Sequence, residues 1–254
     1  GKEYFIDGII DMTGVSIEIP AGGIQLHGHG INISKLICAD NNYTMFTSPG
    51  GGSGDMLGID YTMEVTGTSS KVYDLTSATG ADAFEFERIN YDNCTSLGTI
   101  SGYRQGLELG SGRFGGTPSL TLAGTWSGGY RITTSIIRSI DNAMSEPIFK
   151  AGAGFTMASR FLTDINADLG TTAPLLDFAS ANFTNSSTLQ LKGCIVTRNG
   201  VSDSSDATII PNILASDIAS DFVLNQGVGN TFVGGTATVS AEAATTMTVA
   251  DTFY

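Results

Sequence analysis

Ile24-Gln25-Leu26-His27-Gly28 alternates an aliphatic residue with a polar one and stops at glycine, and the same phrase returns three more times. It reads Met63-Glu64-Val65-Thr66-Gly67, Leu120-Thr121-Leu122-Ala123-Gly124 and Leu189-Gln190-Leu191-Lys192-Gly193. Each copy predicts a short strand with one apolar face, ended by a residue that accepts almost any backbone turn. The first three copies start 39 and 57 residues apart, near two and three multiples of about 20, a spacing typical of coiled β architectures.

The rest of the chain agrees with this period-two texture. Val15-Ser16-Ile17-Glu18-Ile19, Tyr61-Thr62-Met63-Glu64-Val65, Phe84-Glu85-Phe86-Glu87 and Leu107-Glu108-Leu109 alternate in the same way. Turn-forming clusters such as Pro49-Gly50-Gly51-Gly52-Ser53-Gly54 and Gly110-Ser111-Gly112 separate them. Asp7-Gly8 and Asn199-Gly200 are the only Asp-Gly or Asn-Gly pairs, too few to build an antiparallel sandwich of this length by such tight turns. The expected fold is therefore all-β: a right-handed parallel β-helix, a solenoid whose strands stack along one axis. Residues 1–225 form its shaft, and 226–254, rich in Ala, Thr, Val and Gly, read as a transition toward a C-terminal β module. Residues 138–170 alternate less, carry a weak helical tint near Met157 to Leu162, and read as an irregular excursion or long loops between rungs. The chain reads as a piece excised from something longer.

Composition narrows the function. Hydrophobic residues reach 41%, enough for a core along the whole chain, and charged residues only 15%. Twelve basic residues stand against 25 acidic ones, a net charge of −13, so nucleic acid is not an expected partner. No apolar stretch is long enough to insert in a membrane as a helix, and no signal peptide is visible. Three scattered cysteines (Cys38, Cys94, Cys194) and two histidines (His27, His29) argue against a disulfide framework or a metal centre. Cys194, inside an apolar run, reads as a buried structural thiol. No cofactor-binding phosphate loop or serine elbow occurs, and Gly51-Gly52-Ser53-Gly54 reads as a flexible loop.

Glu3-Tyr-Phe-Ile-Asp-Gly-Ile-Ile-Asp-Met12, Ser16-Ile-Glu-Ile-Pro-Ala-Gly-Gly23, Tyr43-Thr-Met-Phe-Thr-Ser-Pro-Gly-Gly-Gly-Ser-Gly54 and Tyr103-Arg-Gln-Gly-Leu-Glu108 together resemble the β-helical shafts of bacteriophage tail fibre and tailspike proteins. Gly112-Arg-Phe-Gly-Gly-Thr-Pro118 belongs to the same style. The resemblance covers most of residues 1–230 and is one of phrase, with no catalytic signature. It implies an extracellular virion protein, a homotrimer that joins other virion proteins and attaches to a bacterial surface polysaccharide or receptor. A polysaccharide-degrading tailspike and a head-attached fibre or decoration protein are its alternatives.

Some phage β-helices cleave polysaccharide, so carboxylate pairs are the candidate chemistry. Glu85 and Glu87 lie two apart on one strand face, roughly 7 Å from each other, a spacing compatible with inverting glycoside hydrolysis and equally with an ordinary wet strand. Asp203/Asp206 and Asp217/Asp221 lack the spacing of a calcium loop. His27 and His29 fall on one strand face, where a polar ladder or a pH-sensitive contact is expected before a metal. For sugar stacking the candidates are Trp126 and Tyr130, with Tyr103 and Phe114, provided that their rings are exposed.

Overall fold

The computed structural model describes residues 1–109, 113–139, 146–157 and 160–168, together with 173–174, 176–177, 184–185, 188–192, 195–198, 201–202 and 223–225. Among the described residues there is no helix, hence none long and apolar enough to cross a membrane. The described part of the chain is all-β, and its strands pair in parallel within two main sheets.

The larger sheet runs through Lys2–Ile6, Ile24–Gly28, Met56–Val65, Ala83–Cys94, Gln105–Leu109, Tyr130–Ser139, Arg160–Asp168, Thr188–Lys192 and Val223–Asn225 in that order. The smaller runs through Ile17–Glu18, Thr44–Thr47, Lys71–Thr76, Gly98–Ser101, Leu120–Ala123, Phe149–Ala151 and Leu176–Asp177. A third, of three short strands, pairs Thr125–Trp126 with Thr156–Met157 and that with Thr184–Asn185. Ile195–Arg198 with Val201–Ser202 is an antiparallel pair.

The interval between partners is longer and less even than the copies of the glycine phrase predict. Lys2 stands beside Ile24, 22 residues on, but Ile24 beside Met56, 32 on, and Met56 beside Phe84, 28 on. Connections of different length, such as the one containing Pro49–Gly54, absorb the difference without disturbing the strand register. The four copies also occupy three different places. Ile24 and Leu189 lie on one column of the large sheet, Met63 on a second column of that sheet, and Leu120 on the small sheet. The phrase is a strand signal and not a repeat unit.

Segment 138–170 is a correction. Phe149–Ala151, Thr156–Met157 and Arg160–Asp168 are strands, the last paired with Tyr130–Ser139 from Phe161 to Asp168 through one register shift. Pairing with a neighbouring strand outweighs a weak helical preference. Residues 226–254, and the Asp203/Asp206 and Asp217/Asp221 pairs, lie outside the described residues.

The two sheets face each other across one core, and the contact is aromatic. Tyr73 of the small sheet meets Phe84 and Tyr91 of the large one, with centroids at 5.1 and 6.2 Å. From there rings touch in a closed circuit. Phe84 meets Tyr103, Tyr103 Trp126, Trp126 Tyr130, Tyr130 Phe149, Phe149 Phe114 and Phe114 Tyr91. All are buried, and each such pair adds about 0.5–1.5 kcal/mol beyond its buried area. Glycine makes room where two rings would collide. Gly58 stands beside Phe86 in register, and a Cβ there would lie 2.5 Å from two carbons of that ring.

One device turns the strands. Asp60 and Arg88 both have positive φ (61° and 52°), and they stand level because Ile59 pairs with Glu87 and Tyr61 with Ile89. A left-handed residue inside a strand shifts the alternation by one. Met56 and Gly58 are buried before the corner and Tyr61, Met63 and Val65 after it; Phe84 and Phe86 precede Ile89 and Tyr91 in the same way. For a residue with a Cβ this conformation costs about 1–2 kcal/mol. Arg88 offsets the cost by gripping Asp60 with two hydrogen bonds, Nε to Oδ1 at 2.6 Å and Nη2 to Oδ2 at 2.7 Å.

Candidate functional site

The outer face of the smaller sheet carries a groove. Two of the sheet's strands alternate strictly: in Leu120–Ala123 the two leucines are buried and Thr121 looks outward, and in Gly98–Ser101 Thr99 does the same beside buried Ile100. Register lines the outward residues up, Asp74 beside Thr99, Thr99 beside Thr121 and Thr121 beside Lys150. Neighbouring strands lie about 4.8 Å apart, so the two threonines are one strand spacing from each other.

A groove of about 360 Å³ runs over these threonines, walled by Lys71, Glu146 and Lys150. Both lysines are paired within their own neighbourhood. Lys71 Nζ donates to Asp74 Oδ2 at 2.6 Å, and Lys150 Nζ donates to Glu146 Oε2 at 2.7 Å. The groove is thus locally neutral although the chain is strongly acidic. Two of its other hydroxyls are engaged: Ser119 Oγ donates to the Pro147 carbonyl at 2.6 Å and Ser96 Oγ accepts from the Gly98 N–H at 3.0 Å.

A second, more open groove of about 560 Å³ borders the first, lined by Thr47, Ser48, Asp74, Thr76 and the glycines after Pro49. The Lys71–Asp74 ion pair joins the two, Lys71 lining one groove and Asp74 the other. The end of the glycine-rich segment beside it, Gly52-Ser53-Gly54, is packed and departs from the expectation of a flexible loop, while Gly50 and Gly51 are exposed. Ser53 is fully buried and its hydroxyl lies 2.5 Å from that of Tyr103, while a Cβ at Gly52 (φ 88°) would strike Ala78. Burial pushes the Tyr103 hydroxyl up to about 12, against the opposing hydrogen bond with Ser53.

Neither aromatic expected to stack on sugar is available for it. Trp126 and Tyr130 are both fully buried, part of the ring circuit, and the Trp126 indole N–H donates to the Ala123 carbonyl at 2.9 Å. Tyr103 and Phe114 are buried as well. These rings precede or follow glycine turns because large side chains filling the core need small residues opposite them, and the same sequence signal marks an exposed corner.

Glu85 and Glu87 do share the outer face of Ala83–Cys94, and each has a partner. Gln105 donates to Glu85, and Arg88 pairs with Glu87. Neither residue lines either groove. His27 and His29 part company because the strand ends at Gly28. His27 Nε2 faces Glu3 at 3.2 Å and its ring lies against Phe5, while the His29 N–H donates to Ser34 Oγ at 2.8 Å. Among the described residues no three His, Cys, Asp or Glu side chains gather as a metal site. Cys38 and Cys94 are buried free thiols, and burial pushes Cys94 up to about 12. Cys194 lies outside the described residues.

Sequence reasoning passed over Thr99 and Thr121. Their signal is the polar half of an apolar alternation, and it becomes a site only when two strands 22 residues apart are set side by side. No family model, curated protein or solved structure matches the chain, so the functional reading rests on its own residues.

Proposed function

We propose that this chain is a structural, non-enzymatic segment of a bacteriophage tail fibre or spike: a right-handed parallel β-helix, three copies side by side, that helps to hold the virion to a bacterial surface. The observation that carries the reading is the parallel register that continues from Lys2 to Val223 in the large sheet, with a second parallel register opposite it. A crossover between parallel strands of one sheet is right-handed in nearly all proteins, which gives the hand. Ladders that run on through many strands resist bending and leave few ends for a protease, as a shaft requires. Three parallel copies would also present a weak surface contact three times, raising avidity without a tight single site. The large sheet, the ring-filled core and the carboxylates tied up by neighbours suit a rigid element better than a catalyst.

Two measurements test this. Light scattering coupled to size exclusion gives the mass in solution, and a stable monomer overturns the trimer. Adsorption of the labelled protein to a panel of bacterial envelope preparations tests attachment, and failure on every preparation overturns that part.

A further inference from the structure

We infer that the groove over Thr99 and Thr121 binds a neutral saccharide, about one or two sugar rings of a longer chain; the inference deepens the attachment reading and rests on it for its biological meaning. The groove's volume, about 360 Å³, falls at the small end of ligand sites. Its chemistry selects among ligands. Two lysines would favour a phosphate or a uronate if they were free, but Asp74 and Glu146 hold them at 2.6 and 2.7 Å, and the chain's charge of −13 repels polyanions at a distance. An apolar ligand finds no exposed ring here, since the aromatic residues of both neighbouring strands point into the core. What the groove does offer is two hydroxyls in register on the floor and an ammonium–carboxylate pair on each side. That is a set of donors and acceptors suited to a polyol.

The floor is held rigidly, so a ligand would meet it already formed. Buried Ile100, Leu120 and Leu122 fix the two strands from below, and a Cβ at Gly152, just past Phe149–Ala151, would collide with the Thr121 methyl, so the chain closes against that side chain there. A preformed surface spares a weak ligand the cost of ordering it.

The test is an array of neutral di- to tetrasaccharides of glucose, mannose and galactose, printed beside polygalacturonate and heparin, read with the full chain. Saturable binding to neutral probes that changes little with salt is the expected result. The variant carrying Thr99→Val and Thr121→Val should weaken it about tenfold, and Lys150→Met should weaken it too, with the circular dichroism of the fold unchanged in both. Retention of polyanions alone, no binding to any neutral probe, or binding untouched by the substitutions would overturn the inference. The adsorption assay separates the two readings. If the double threonine variant still adsorbs to envelopes like the original chain, the groove falls and attachment stands. If the original chain adsorbs to none while the array is positive, attachment falls and the groove stands.

Discussion

Replacing Gly58 by alanine should destabilise the protein although alanine is the better residue for an extended backbone. Gly58 has no positive φ, so the substitution carries no backbone strain, and restricting the unfolded chain would by itself stabilise by about 0.4–1 kcal/mol. The new methyl, however, lies 2.5 Å from Cδ1 and Cε1 of Phe86 and 2.7 Å from the Tyr61 hydroxyl. Carbon atoms rest at about 3.5–4.0 Å, so the ring must retreat by about 1 Å. Behind it stand Phe84, with centroids 4.5 Å apart, and Tyr73 at 6.0 Å, and neither has solvent to move into. Overpacking of this kind costs about 1–3 kcal/mol and a disturbed ring pair about 0.5–1.5 more. The net expectation is a loss of about 1–3 kcal/mol after the entropic gain is subtracted. Urea unfolding followed by Trp126 emission, the one tryptophan of the chain, and by far-ultraviolet circular dichroism reads it. The decisive comparison is a double-mutant cycle. In a Phe86→Leu background the same alanine has space and should cost less than about 0.5 kcal/mol, or stabilise. An alanine that is neutral in the original chain, or equally harmful without the ring, refutes the packing argument.

Three further outcomes follow from the same geometry. Ser53→Ala leaves the buried Tyr103 hydroxyl without its 2.5 Å partner and should cost about 1–3 kcal/mol in urea unfolding, much of it recovered when Tyr103→Phe is added. Hydrogen bonding by Arg88 holds the Asp60 carboxyl below its ordinary value. A depressed folded pKa means stability that is present above the unfolded value, about 3.9, and lost as pH falls through the folded one. The unfolding midpoint should therefore drop in acid, and by less in Asp60→Asn, whose side chain still tolerates the left-handed backbone; equal acid sensitivity in the two proteins would contradict the assignment. Cys94, buried with its thiol pushed up to about 12, should resist alkylation in the native protein and react in denaturant, with peptide mapping to locate the adduct.

What the sequence disclosed depended on how local the cause was. Alternation is set by adjacent residues, so the strands could be read from Ile24–Gly28 or Leu120–Ala123 directly, whereas their parallel pairing is a relation between segments 22 or more residues apart. The corners could not, because Asp60 and Arg88 look like ordinary charged residues in a polar stretch. Their meaning is the bidentate contact between them, made across 28 residues. Once that corner is in place, the alternation Phe84-Glu85-Phe86-Glu87 cannot be carried past Arg88, and the acidic stretch that looked like one dense face is bent at the corner. Trp126 and Tyr130 failed for the opposite reason: a large ring beside glycines is the local signature of an exposed corner and of a packed core alike, and only the ring circuit tells them apart. Thr99 and Thr121 are unremarkable singly and acquire a role through register. In a chain of this kind the core is written along the strand, while any binding surface is written across strands, in residues 22 to 33 apart that only parallel pairing brings together. A search for function here belongs in the columns, not in the motifs.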